Sequence, residues 1–362
     1  MSIIIFIIIL GALIFVHELG HFIVAKKSGI RVDEFAIGFP PKIFGFRKGE
    51  TDYALNLIPF GGYVKIFGEN PDDESLDPNA KDSFVNKSKL IQAAVLVAGV
   101  AFNIIFAWLL FSISFMTGFP SVVTDETRDR ISDVNVVVTD VLENSPAASI
   151  GLQVGDQIVA IKSEDNVLDE NLKIPDVQNF IANNQNGFTL EYFRGENIQT
   201  SYIVPADGIV EGKPAIGISM DMIGSLKLPI HKAFAEGLKM TGQVTRDIAI
   251  GLYTFIGHIF VGKANLEQVA GPVGIVSLVG NAAQFGFIYL LGFTAFISLN
   301  LAVLNLIPFP ALDGGRLLFI LIEAITRKSI PTKVANVTNA IGFAILILLM
   351  VVITISDVVK LF

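Results

Sequence analysis

His17, Glu18 and His21 stand in the run His17-Glu18-Leu19-Gly20-His21, inside a stretch (residues 3–25) otherwise built from Ile, Leu, Phe, Val, Ala and Gly. Positions 17 and 21 are one helical turn apart, so both imidazoles lie on one helix face and can share a metal ion. Glu18 sits beside them, where its carboxylate can take a proton from a water that the metal activates. Ionisable groups in so apolar a segment are costly unless they are paired or bind metal, which marks these three as functional. The chain has no cysteine, so a metal has to be held by His, Asp or Glu. His231 and His258 fall in a separate part of the chain, far in depth from His17, and are poor ligand candidates.

A catalytic zinc usually takes three protein ligands and keeps one position open. Asp313 is the candidate for the third. Upstream of it, Pro308 and Pro310 cannot continue a helix, and Gly314 and Gly315 after it allow a tight backbone path. Apolar residues resume at 317–325, so a spanning helix should unwind at membrane depth and let Asp313 turn inward.

These residues need elements that hold them in a bilayer. The 362 residues are 52% hydrophobic and only 17% charged, with a mean hydropathy of +0.62, which points to an integral membrane protein. A net charge of −8 without a basic patch argues against nucleic acid as a partner. Long apolar stretches at 3–25, 90–119, 287–309 and 334–355 predict about four spanning helices. The first lacks the basic start and small-residue cleavage site of a signal peptide, and its removal would discard the histidines. Lys26, Lys27, Arg31, Lys87, Lys89, Arg327, Lys328 and Lys333 cluster in the loops after spans one and three. The positive-inside rule makes those loops cytoplasmic and places both termini and the long central region outside. His17 then lies about 20 Å down the first span, towards the cytoplasmic leaflet, and span three brings Asp313 into the same half.

Between the spans, residues 33–68 carry Gly, Pro and alternating aromatic or aliphatic residues, which favour strands and turns. The segment reads either as a sheet-like loop dipping into the membrane beside the site or as an ordinary cytoplasmic hairpin. Residues 71–81, rich in Asp and Pro, read as a solvated linker. In span two, Gly99 and Ala101 permit close helix approach, and Asn103 is a lone amide that serves either as helix glue or in substrate handling. From about 121 to 223 the composition becomes that of a soluble domain. Ser145-Pro146-Ala147-Ala148, Gly151-Leu152 and Gly155-Asp156 there resemble a PDZ domain, either a peptide binder or a steric cap. Residues 230–261 are amphipathic and suit the membrane interface, and Gly271-Pro272-Val273-Gly274-Ile275 should break the chain before span three.

Taken in order, His17-Glu18-Leu19-Gly20-His21, Phe60-Gly61-Gly62-Tyr63, the PDZ-like segment, Gly271-Pro272-Val273-Gly274 and Asn305-x-x-Pro308-x-Pro310-x-Leu312-Asp313-Gly314 resemble the bacterial site-2 protease family, intramembrane zinc metalloproteases of the RseP and RasP kind. The resemblance implies one catalytic Zn2+ on His17, His21 and Asp313, with Glu18 as the catalytic base. It makes Asn305 and Asn300 substrate-holding, together with Gly61, Gly62 and Tyr63. The chain departs from the family at Val100, where Pro often stands, and from RseP in having one PDZ domain rather than a tandem pair.

The expected fold is a multi-pass α-helical membrane protein with a membrane-associated β-rich loop and one inserted extracytoplasmic PDZ domain. Its parts are residues 1–119, the PDZ domain at 120–224, an interfacial helix and linker at 225–285, and residues 286–362. The expected activity is hydrolysis in or near the transmembrane segment of single-pass membrane proteins after prior trimming, in the bacterial cytoplasmic membrane. Peptide termini are candidate partners at the PDZ domain. The rival is a non-catalytic scaffold or chaperone with a structural zinc, against which Glu18 speaks.

Overall fold

The structure, a computed structural model, describes residues 1–69, 80–125, 127–164, 166–169, 171–195, 197–210, 213–263 and 269–359. The linker expected at 71–81 lies outside the described residues as far as 79. In chain order, α1 (Ser2–Lys27) is followed by β1 (Val32–Lys48), β2 (Thr51–Ile66) and α2 (Lys89–Thr117). Then come β3 (Phe119–Val122), β4 (Ile131–Val141), α3 (Pro146–Ser149), β5 (Gln157–Lys162), β6 (Val167–Leu168) and α4 (Ile174–Asn183). Strands β7 (Phe188–Arg194), β8 (Asn197–Ile203), β9 (Ala206–Val210), β10 (Lys213–Ala215) and β11 (Ile218–Leu226) complete the β-rich middle. Helices α5 (Ile230–Phe260), α6 (Pro272–Gln284), α7 (Phe287–Leu306), α8 (Asp313–Thr326) and α9 (Thr332–Val359) close the chain. Two compact units result: residues 1–111, 237–280 and 293–362 in one, residues 112–236 and 281–292 in the other.

Helices α1, α2, α7 and α9 are long and apolar enough to cross a membrane, and they coincide with the four apolar stretches of the sequence. Ile3, Ile4 and Ile8 of α1 and Leu348, Leu349 and Met350 of α9 are exposed. In water such patches would drive association; against lipid tails they carry no penalty. Polar backbone is satisfied within each helix, as a hydrocarbon environment demands.

Residues 33–68 do form strands. Gly49, with φ +65°, sits in the two-residue connection that pairs Lys48 with Thr51. Both strands bend, so that residues 34–37 pair with 52–55 on one side and with 62–65 on the other, while 42–48 pair with 51–56. Two bent strands thereby make a small curled sheet with residues 62–66 at one edge. Phe39, Ile43, Phe44, Leu55, Leu57 and Ile58 are exposed on it, an apolar surface of the kind that seeks lipid.

The Gly271-Pro272-Val273-Gly274 motif does more than interrupt the chain. Pro272 is the first residue of α6, a position that suits its fixed φ and missing N–H. Asp357, buried on α9, accepts a hydrogen bond from the Gly274 N–H at 2.8 Å and so caps α6 from another helix. A side chain at Gly271 would strike that carboxylate, at 2.7 Å from Oδ2.

The second unit is built on a sheet in the order β3-β11-β4-β5-β7-β8, with β6 paired to β5. In β7, Phe188, Leu190 and Tyr192 are buried at every second position and Thr189 and Glu191 face the other way. They pack with Val136, Ile161 and Ile203 into one core. Beneath β7, fully buried Asp156 takes a two-pronged bond from Arg194, Nε to Oδ1 at 2.8 Å and Nη2 to Oδ2 at 2.6 Å, and accepts the Gln153 N–H at 2.9 Å. The Asp156 bonds hold the Arg194 guanidinium above its usual pKa.

Candidate metal centre

Helix α1 sets His17 and His21 on one face, as their spacing requires, and both side chains are buried. Asp313 arrives from the far end of the chain. Helix α7 stops at Leu306, the proline-interrupted residues 307–312 turn a corner, and Asp313 is the first residue of α8. That corner is tight. Ala311 has φ +74°, a conformation that L side chains resist, and its N–H donates to Asn339 Oδ1 on α9 at 3.2 Å. Gly314 and Gly315 are required there, because a side chain would collide with the carbonyls of Ile307 and Phe309 respectively.

The three donor atoms converge. His17 Nε2 lies 3.0 Å from Asp313 Oδ2 and 3.1 Å from His21 Nε2, and His21 Nε2 is 3.3 Å from the same carboxylate oxygen. Ligands held ~2.0–2.1 Å from a tetrahedral zinc are about 3.3 Å apart, so the triangle is of the size that ion needs. Among the described residues these are the one His/Cys/Asp/Glu group of three or more with metal-site spacing. His21 Nδ1 is 2.8 Å from the Val95 carbonyl oxygen on α2. A carbonyl can only accept, so Nδ1 carries the proton and Nε2 keeps a lone pair that can bind a metal ion.

Glycine lets α2 come this close. A Cβ on Gly99 would lie 2.5 Å from His21 Nε2 and 2.8 Å from His17 Cε1. Reciprocally, a side chain on Gly20 of α1 would run into the Ala98 carbonyl. The two helices therefore cross backbone to backbone, with the imidazoles in the gap.

Glu18 lines a cavity of ≈ 290 Å³ together with His17 and Asp313, and the cavity also takes in Gly61, Gly62, Asn103 and Asn305. The Val64 backbone of the curled sheet lies beside the Glu18 carboxylate. Of the residues expected to hold substrate, Asn305, Gly61 and Gly62 are at the cavity. Asn300 is not: its amide donates to the Phe296 carbonyl of its own helix at 2.9 Å. Tyr63 is also outside, stacked on Phe39 with ring centroids 6.4 Å apart. The corner gains a further tie that the sequence did not suggest, an ion pair from Arg316, one turn after Asp313, to Glu69 at the end of the curled sheet.

Comparison with known proteins agrees with this geometry. The pattern of "Peptidase family M50" matches residues 5–349. A Clostridium perfringens protein named for zinc metalloprotease activity is 38% identical, over 96% of this chain and 96% of its own length. A Clostridium acetobutylicum protein with the same kind of name is 37% identical over 99% and 97%. Zinc metalloprotease RasP of Bacillus licheniformis is 30% identical over 100% and 99%. A full-length match of this kind, joined to a zinc-sized triangle of two imidazoles and a carboxylate on apolar helices, means that the chain belongs to peptidase family M50, the site-2 proteases, and is a bacterial membrane zinc metalloprotease.

Proposed function

We propose that this metalloprotease cuts peptide bonds in or next to the transmembrane segment of single-pass membrane proteins whose outer domains have already been trimmed. One observation carries the reading: His17, His21 and Asp313 converge with Glu18 on one cavity beside helices apolar enough to span a bilayer. In it, His17, His21 and Asp313 hold the zinc. When bound, the ion lowers the pKa of a water and polarises the scissile carbonyl. Glu18 is the general base that takes the water's proton, with the Val64 backbone beside its carboxylate. Asn305, across the cavity, donates to the developing oxyanion.

A helical substrate hides its carbonyls, so it must be drawn out before it can be cut. The sheet edge at residues 61–66 passes Glu18 and offers backbone partners to an extended strand. Gly62 suits that task, because a Cβ there would sit 3.5 Å from Glu18 Cγ and narrow the cavity. The exposed apolar residues on the sheet favour the membrane-dipping reading over a cytoplasmic hairpin. With Lys26, Lys27 and Arg327 on the cytoplasmic side, α1 runs inward and the site lies about 20 Å from its outer end, within reach of cytoplasmic water.

Residues 120–224 act as the extracytoplasmic PDZ domain. Ser145 caps α3 by accepting the Ala148 N–H at 3.2 Å, and Gly155 turns with φ +96° into β5, as that motif requires. The domain screens bulky ectodomains or holds peptide termini. Helix α5, with Lys232, Lys239 and Arg246 among apolar residues, lies along the interface.

Glu18→Gln separates this reading from a scaffold with a structural zinc. In purified protein it should keep its zinc and lose cleavage of a single-pass test substrate by 10²-fold or more, on the order of a general base's contribution. Unchanged cleavage would remove Glu18 from the reaction.

A further inference from the structure

Asn103 is fully buried on α2 and lines the cavity beside Glu18, yet its Oδ1 has no hydrogen-bond partner among the described residues. Its Nδ2 stands 3.3 Å from His17 Nδ1. An imidazole that uses Nε2 for a metal carries its proton on Nδ1, so the atom facing it must be an acceptor. The N and O of a carboxamide are interchangeable by a half-turn of the group. Turned so that Oδ1 faces His17, the amide accepts the Nδ1–H and the orphaned oxygen is satisfied. The amino group then takes the place the oxygen held.

The arrangement has a counterpart. Val95, Gly99 and Asn103 follow one another at one-turn intervals along α2. Val95 offers its carbonyl to His21 Nδ1 at 2.8 Å, Gly99 leaves the gap, and Asn103 meets His17. The backbone carbonyl of Asn103 accepts the Ser298 hydroxyl of α7 at 2.8 Å, which fixes this turn of α2. We propose that Asn103 is a positioning residue of the zinc site, its carboxamide oxygen accepting the Nδ1–H of His17 and locking the tautomer that turns Nε2 to the ion. The proposal rests on the reading of His17 as a zinc ligand.

The test is zinc affinity of the purified full-length chain, measured by competition with a chromophoric chelator and accompanied by thermal unfolding of the metal-free protein. Asn103→Leu, which removes the acceptor at similar size, should weaken zinc binding 10–100-fold, the usual cost of losing an outer-shell partner. Asn103→Asp, which keeps an acceptor, should bind within a few-fold of the parent, and its Co2+-loaded form should keep the parent's visible spectrum. Parent-like affinity in the Leu variant overturns the proposal. So do equal losses in both variants with unchanged metal-free stability. Should the Leu variant fail to fold, a tenfold loss in the Asp variant decides against it. Lost cleavage with parent-like zinc affinity in both variants would assign Asn103 to substrate instead, which also overturns it. His17→Ala is the separate control: parent-like zinc binding there would sink the ligand reading itself, whatever position 103 does.

Discussion

Gly99→Ala adds one methyl group where the structure has no room for it. The new Cβ would lie 2.5 Å from His21 Nε2, 2.7 Å from His21 Cε1 and 2.8 Å from His17 Cε1. Ordinary contact is ~3.5 Å, so the rings must retreat by about 1 Å or the helices must part. Parting would open the close packing of Gly20 against Ala98 and Gly99 and forfeit its contacts. The rings are therefore what gives. Metal–ligand distances tolerate only ~0.2 Å, and two of the three donors would be displaced by several times that. Overpacking alone costs ~1–3 kcal/mol, and here the strain falls on the site and nowhere else. Zinc affinity should fall about 100-fold, equivalent to about 2.7 kcal/mol. The assay is metal content after purification together with chelator competition. Gly11→Ala is the matched control, because Gly11 lies on α1, the helix that carries the histidines, and a Cβ there meets nothing within 4 Å among the described residues. Parent-like zinc in Gly99→Ala would refute the argument that backbone contact at this crossing sets the donor positions.

Three further outcomes follow from the same structure. Asp313→Ala should lower zinc affinity by more than the 10–100-fold loss expected for an outer-shell partner, and full occupancy in purified protein would exclude Asp313 as a ligand. Asp156→Asn should destabilise the second unit by about 2–4 kcal/mol, because the two-pronged bond from Arg194 loses its charged partner at a buried position. Hydrogen exchange over β5 and β7 in the intact chain reads this out, and unaltered protection there would show the pair to be dispensable. Ala311→Gly should be neutral to stabilising by about 1 kcal/mol, since glycine accepts φ +74° without the Cβ penalty. A lowered unfolding temperature would mean that the Ala311 methyl packs more usefully than its backbone is strained.

The spans, the paired histidines and Asp313 were readable from the residues because each rests on a local property: run length, one-turn spacing, and prolines that end a helix. Pairing within residues 33–68 was readable for the same reason, whereas the double bend that turns two strands into a curled sheet depends on register and was not. Asn300 and Asn305 show where motif matching outruns geometry. They are five residues apart, about 140° around a helix, so one amide at the cavity turns the other away. Gly271-Pro272 looked like a simple break, although Pro at a first helical position was the sign that α6 begins there. Gly99 and Asn103 owe their roles to a crossing between two helices, and no single-chain pattern encodes which turn of α2 will face His17 and His21.

The backbone-to-backbone crossing of α1 and α2 has a mechanical consequence. Side chains in a normal interface can be recompressed, whereas main chain touching main chain has no slack, so this pair behaves as one rigid jaw carrying both imidazoles. A peptide as wide as an extended strand still has to be admitted beside Glu18. Whatever yields to admit it must belong to the opposite jaw, the curled sheet and the kinked turn leading into α8, which the Arg316–Glu69 ion pair clasps together.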